Sequence, residues 1–274
     1  MLRKLANDLL QMRRVCGTRT TARFATNALL ASPAILKERT LAAADARMNR
    51  TIYANYRGST VVIPVTEIQA ESPSDDKSSA FSGVREVLLR QVYFRFLKPE
   101  ARFATAVDLG ANRGFVSTVL ARCFGATKVI GVEPRAEFSN CFDVLRRANA
   151  LSAAQSVRIP MLAVGCSSPG ITIDTLMTEN HLEVLSLLKM DIEGGESDIF
   201  SPDAPKEYLR VTKNVIAELH PRLGVNTESI ERTLRSSGFQ VHLTDDDGRS
   251  ARFDDATYLY ATREPGLWQP STFR

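Results

Sequence analysis

The 274-residue chain is long enough to bury a sizeable core, as one large domain or as one domain with an appendage. Hydrophobic residues make up 44% and charged residues 24%, a globular balance that excludes a disordered or membrane-embedded class, and no apolar run reaches the roughly 18 to 20 residues of a transmembrane helix. The net charge of +4, from 35 Lys and Arg against 31 Asp and Glu, is too small to point to nucleic acid.

The first fifty residues hold ten Lys or Arg against Asp8, Glu38 and Asp45. Leu2, Leu5, Leu9 and Met12 share one helical face, with Arg3, Lys4, Arg13 and Arg14 beside it. Two readings of this basic amphipathic helix stay open. It packs on the domain or touches a membrane surface, or it is an Arg-rich mitochondrial presequence. Next, "TIYANYRGSTVVIPVTE" alternates β-branched and aromatic residues around Arg57-Gly58-Ser59, the pattern of two short strands joined by a turn. "AESPSDDKSSAFSG" reads as a linker, which divides the chain into an N-terminal extension, 1–80, and a main domain, 81–274.

From "VREVLLRQVYFRFLKPE" onward, helices and strands alternate. "TAVDLG", "KVIGVEP" and "VRIPMLAVG" are expected strands, with "FVSTVLARCFG" and "EFSNCFDVLRRANA" as the helices between them. The sheet continues through "LSLLKMDI", "VTKNVIAELH", "FQVHLT" and "TYLYATR", with helices near 196–200 and 227–237. Such alternation means an α/β fold of Rossmann-like type, a mostly parallel sheet with helices on both faces. Cys16, Cys123, Cys141 and Cys166 form no CxxC pair and have no His at zinc spacing, so a reducing, cytoplasmic setting is the simplest expectation.

Ligands of open parallel sheets bind beyond the carboxyl ends of the strands, so the residues at each strand end carry the chemistry. The first end is "VDLGANRG", where Gly110 and Gly114 frame a tight turn into a helix, with Asn112 between them. Ala111 stands where a dinucleotide fingerprint has its second glycine, which disfavours a pyrophosphate and hence a nucleotide-dependent oxidoreductase. Asp108 before the turn suits a cationic ligand. The second end is "GVEP", where Glu133 can accept hydrogen bonds from both hydroxyls of a ribose, or else cap the helix after Pro134. A ribose, a cation and no pyrophosphate together point to S-adenosylmethionine.

In this order, "VDLGANRGFVS", "VIGVEP", "ITIDTL", "LLKMDIEGGE" and "IAELHP" resemble the FkbM family of methyltransferases, a branch of the class I S-adenosylmethionine-dependent enzymes. The resemblance covers about residues 81–265. It implies a seven-stranded sheet with a reversed terminal hairpin, a cofactor held at the first two strand ends, and methyl transfer to oxygen, often on a sugar or a secondary metabolite. The acceptor it implies is a hydroxyl of a small molecule or glycan. One departure is "CSSP", residues 166–169, which is short where similar proteins usually carry a longer stretch.

An alcohol is a poor nucleophile until its proton is removed, by a positioned base or under the influence of a metal. Asp191 and Glu193 follow the fourth strand of the main domain; His220 follows the fifth, with Glu218 on the same strand face. Three readings compete. His220 or Asp191 is a general base; or Asp191, Glu193 and Glu218 hold a divalent ion such as Mg²⁺; or the acids are structural, Glu196 and Asp198 serving the next helix while Gly194 and Gly195 make the turn. The base is preferred to the metal. Amino-group methyltransferases of nucleic acid bases commonly place a polar residue, two prolines and an aromatic here, so Asp-Ile-Glu-Gly-Gly suits a hydroxyl better. The non-enzymatic alternative is a cofactor-binding or scaffold protein on a methyltransferase fold.

Overall fold

The computed structural model describes residues 2–76, 78–165, 169–269 and 272, and the side chains of Leu2 and Arg3 are outside that description. The short "CSSP" stretch therefore lies outside the described residues except for Pro169.

Among the described residues, nine strands form two sheets. The first is the expected hairpin, β1 (Thr51–Tyr56) against β2 (Ser59–Pro64). Its turn residues Arg57 and Gly58 both take positive φ, 51° and 78°, the backbone that matches the twist of a two-residue hairpin. The second sheet contains β3 (Thr105–Leu109), β4 (Lys128–Val132), β5 (Ser156–Ile159), β6 (Leu187–Met190), β7 (Asn214–Glu218), β8 (Gln240–Thr244) and β9 (Tyr258–Thr262). Their spatial order is β5-β4-β3-β6-β7-β9-β8, parallel throughout except for β9, which runs antiparallel to both neighbours. This is the seven-stranded sheet with a reversed terminal hairpin. Strand order reverses between β3 and β6, so a crevice opens at their carboxyl ends.

Two expected elements come out shorter. The strand expected over "VRIPMLAVG" stops at Ile159, because Pro160 has no N–H to continue the ladder; beyond it Ala163 forms an isolated bridge to Ile171. The helix expected to run from Val84 ends at Arg90. There Ala80–Val84 passes into a π-helical turn, Arg85–Arg90, closed by Gln91 at a φ of 53°. Val92, Tyr93 and Phe94 are then buried in succession, which no single helical face could achieve.

The N-terminal helix, Leu2–Leu30, kinks at Gly17 (φ 80°, ψ 169°) and packs on the domain. Met12, Val15, Phe24 and Ala28 are buried, whereas Arg13 and Arg14 face water. The same hydrophobic cluster takes in Ile52 and Ile63 of the hairpin and Ala106, Val129, Leu187, Ile216 and Tyr260 of the large sheet, so one core runs across residue 80. Nor is the stretch before residue 80 a free linker: Ser72, Asp76 and Ser78 all hold the Arg113 guanidinium. A second cluster, including Val107, Leu188 and Val215 with Leu176 and Ile230 from the helices Ile173–Glu179 and Thr227–Ser236, fills the opposite face. Among the described residues no helix is long and apolar enough to cross a membrane.

A buried ion network ties the N-terminal helix to the crevice wall. Arg85 donates to Asp45 Oδ1 at 2.7 Å and to Asp8 Oδ2 at 2.9 Å, and Arg90 reaches Asp8 at 3.1 Å. Arg85, Asp8 and Asp45 are all buried, so removing the guanidinium strands the Asp45 carboxylate in a low-dielectric core and leaves Asp8 with Arg90 alone. Arg85→Ala is expected to cost about 3–5 kcal/mol of stability, read from the urea midpoint; a loss of about 1 kcal/mol or less, as for an exposed pair, would show that the network carries no such weight.

Candidate active site

The β3 turn is set by what its neighbours leave room for. Gly110 (φ 72°) lies so close to β6 that a Cβ there would stand 1.6 Å from the Asp191 carbonyl oxygen, and a Cβ on Gly114 (φ 89°) would stand 2.4 Å from the Phe142 ring. Only glycine fits either position. Asn112, also at positive φ (50°), is exposed and accepts the Arg113 N–H through its own side chain at 2.8 Å. Glu133 holds the turn from β4: one carboxylate oxygen accepts the Asn112 N–H at 2.9 Å and the other the Arg135 N–H at 3.0 Å. Each oxygen keeps a further lone pair. Pro134 is exposed beside it.

Asp108 is placed differently from the sequence expectation of a carboxylate open to a cationic ligand. It is completely buried, and the cation it meets is the chain's own Lys189 at 3.2 Å, with Ser117 donating to its other oxygen at 2.7 Å. Lys189 in turn donates to the Gly110 carbonyl at 3.1 Å and lies 3.8 Å from Asp191. Burial pulls this ammonium down, but the charges of Asp108 and Asp191 outweigh it and hold the group above the ordinary lysine value. Asp108 therefore shapes the site through Lys189 and the glycine turn.

The crevice above is lined by Gly83, Glu86, Tyr93, Gly110, Asn112 and Asp191, among others. Tyr93 is its hub, for its hydroxyl lies 2.9 Å from Asp191, 3.1 Å from Glu218 and 3.2 Å from Glu86. Burial, followed by the charges of Asp191 and Glu86, pushes the Glu218 carboxyl up to about 7.

Asp191, Glu193 and His220 come together at the ends of β6 and β7. His220 Nε2 faces Glu193 Oε2 at 3.5 Å and Asp191 Oδ1 at 3.7 Å. Its Nδ1 lies 2.9 Å from Glu196 Oε1. Burial lowers the basicity of this imidazole, but Glu196, with Asp191 and Glu193, more than compensates and raises it. Glu196 does more than favour the next helix. It is fully buried and accepts the Ile192 and Gly194 N–H groups at 3.2 and 3.0 Å, so it clamps the acidic turn and the histidine at once. Asp198 accepts from Gly165 N at 2.6 Å, outside this group.

Sequence reading passed over Lys189, Tyr93 and Glu86. A visible signal existed for Lys189, a lone charge inside the apolar run "LSLLKMDI", since a lysine is almost never buried unpaired. Tyr93 and Glu86 gave none, because their role depends on the π-helical turn that follows Val84.

Residues 163–241 match the methyltransferase FkbM domain. No curated protein matches the chain. Among solved structures, the precorrin-6y C5,15-methyltransferase of Geobacter metallireducens is 13% identical, covering 66% of this chain and 87% of its own at a TM-score of 0.41. The O-methyltransferase of Bacillus cereus in complex with SAH is 12% identical over 70% of this chain and 84% of its own, with a TM-score of 0.40. The magnesium protoporphyrin IX methyltransferase of Synechocystis with bound SAM gives 14%, 60%, 71% and 0.38. At these scores none of the three carries weight beside the strand order itself.

Lys189→Met is expected to cost about 3–5 kcal/mol by leaving the Asp108 carboxylate buried alone, and Lys189→Met with Asp108→Leu to cost clearly less than Lys189→Met by itself. Urea unfolding of the two single variants and the double variant tests this, and strictly additive losses would deny the coupling. With the strand order, the glycine turn and the matched segment in place, the similarity of this chain to the FkbM methyltransferases is shown over residues 163–241.

Proposed function

We propose that the protein is an S-adenosylmethionine-dependent O-methyltransferase that acts on a hydroxyl of a small molecule or glycan. The match of residues 163–241 to a methyltransferase domain supports the transferase class. The observation that carries the oxygen acceptor is His220 Nε2, turned toward Asp191 and Glu193 beside the glycine turn while its other nitrogen is tied to a buried carboxylate.

The residues present fit the cofactor. Gly110 and Gly114 let the turn pack directly against the Asp191 carbonyl and the Phe142 ring, and Asn112 stands exposed at its crest. Glu133, with Pro134, offers carboxylate lone pairs to ribose hydroxyls, and Asp108 supports the turn from below through Lys189. Glu86 and Asp191 line the crevice next to this turn with negative charge, which suits a sulfonium and an ammonium group. When bound, S-adenosylmethionine supplies a methyl group carried on a sulfonium. The chain must then orient the acceptor and raise its nucleophilicity, the task assigned to Asp191, Glu193 and His220.

Calorimetry with S-adenosylmethionine and with NAD tests the reading. Binding of the first alone is expected, weakened roughly tenfold or more by Glu133→Ala, the loss of about 1.4 kcal/mol or more of hydrogen bonding. His220→Ala should leave that binding intact and lower turnover on a hydroxyl acceptor about a hundredfold or more. No binding of S-adenosylmethionine would overturn the proposal, and unchanged turnover would remove His220 from the chemistry.

A further inference from the structure

The atoms that face one another at the ends of β6 and β7 pose a problem of proton supply. Glu196 cannot turn away from His220, because it is fully buried and its two oxygens are fixed by the Ile192 and Gly194 N–H groups. It is the acceptor for the His220 Nδ1 proton, so in the neutral ring Nε2 presents a lone pair. That lone pair is aimed at two more acceptors, Glu193 Oε2 and Asp191 Oδ1.

We propose that His220 Nε2, Asp191 Oδ1 and Glu193 Oε2 are the ligands of a divalent metal ion. The spacing agrees with this. An imidazolium bonded to a carboxylate would close to about 2.7–2.9 Å. Here the separations are 3.5 and 3.7 Å, and all three ligand atoms lie within 4.8 Å of one another. Two ligands on bonds of about 2.0–2.2 Å to a shared ion stand roughly 2.8–3.6 Å apart for cis-octahedral to tetrahedral angles, so Glu193 lies within that range and Asp191 just beyond it.

The ligands are also oriented as metal ligands are. A carboxylate holds the far nitrogen of His220, and the Tyr93 hydroxyl holds the far oxygen of Asp191 at 2.9 Å. Glu193, on a backbone at φ 52°, projects from the turn with 81% of its side chain exposed, so the ion would keep open positions toward solvent and acceptor. One nitrogen and two carboxylates suit Mn²⁺ or Zn²⁺ better than Mg²⁺, which takes oxygen ligands and keeps its waters. A second group, Glu86, Asp191 and Glu218, has its ligand atoms within the same 4.8 Å, but it is made of acids alone, converging on Tyr93.

The role of the ion rests on the methyltransferase reading: a hydroxyl bound to it would lose its proton more readily, making both His220 and Asp191 ligands where the sequence suggested one or the other as the base. Binding of the ion does not rest on that reading. The full-length protein, stripped with a chelator and dialysed, is titrated with Mn²⁺ alone and followed by electron paramagnetic resonance. Saturable binding is expected, weakened at least about tenfold by His220→Ala and by Glu193→Gln and unaffected by Glu86→Gln. Glu193 is exposed, so its variant remains informative if His220→Ala fails to fold. No saturable binding up to millimolar Mn²⁺ overturns the proposal, as does binding that survives Glu193→Gln or disappears in Glu86→Gln. Calorimetry with S-adenosylmethionine on the same stripped protein separates this failure from failure of the methyltransferase reading.

Discussion

The pairing of Asp108 with Lys189 is the constraint on which the rest of the site depends. The two residues are direct partners in the parallel register of β3 and β6, and both side chains are buried at the place where strand order reverses. A slip of one residue would separate the charges and turn each strand's apolar set to the wrong face. Because the register is fixed, Gly110 arrives against the Asp191 carbonyl, where no Cβ fits, and Lys189 closes the turn by donating to the Gly110 carbonyl. One ion pair thus positions both the glycine turn and the Asp191 carboxylate, the two groups that the proposed function assigns to cofactor and acceptor.

A second buried carboxylate organises the other half. Glu196 holds the backbone of the acidic turn through two amides and the imidazole of His220 through a third bond, so the acidic turn and the end of β7 are tied to one carboxylate. The N-terminal segment completes the wall. Packed against it, the π-helical turn Arg85–Arg90 sends Arg85 toward Asp8 and Asp45 and the next residue, Glu86, toward Tyr93, so anchoring and site are built from adjacent residues. That is the physical reason the segment before residue 80 shares the core of the sheet.

Much of this was legible in the sequence. Alternating strands and helices gave the sheet, Arg57-Gly58 gave the hairpin turn, and Gly110, Gly114 and Glu133 marked the first two strand ends. Asp191, Glu193 and His220 were legible as a group because the ends of neighbouring parallel strands meet in space. What escaped depends on burial and partners, which a linear pattern does not carry. Asp108 reads as a ligand until Lys189 is seen beside it, and Glu196 reads as a helix-end acid until its burial and its bond to His220 are known. Strand length failed at Pro160 because the mostly apolar run from Val157 to Gly165 outweighed the one missing N–H.

The proposed chemistry requires the sulfonium of S-adenosylmethionine to lie between the two strand ends. A crystal structure with S-adenosylhomocysteine tests that directly. Ribose hydroxyls are expected on the Glu133 carboxylate and the sulfur over the Gly110 turn, facing Asp191 and His220. A ligand whose sulfur points away from Asp191, or whose ribose makes no contact with Glu133, would contradict it.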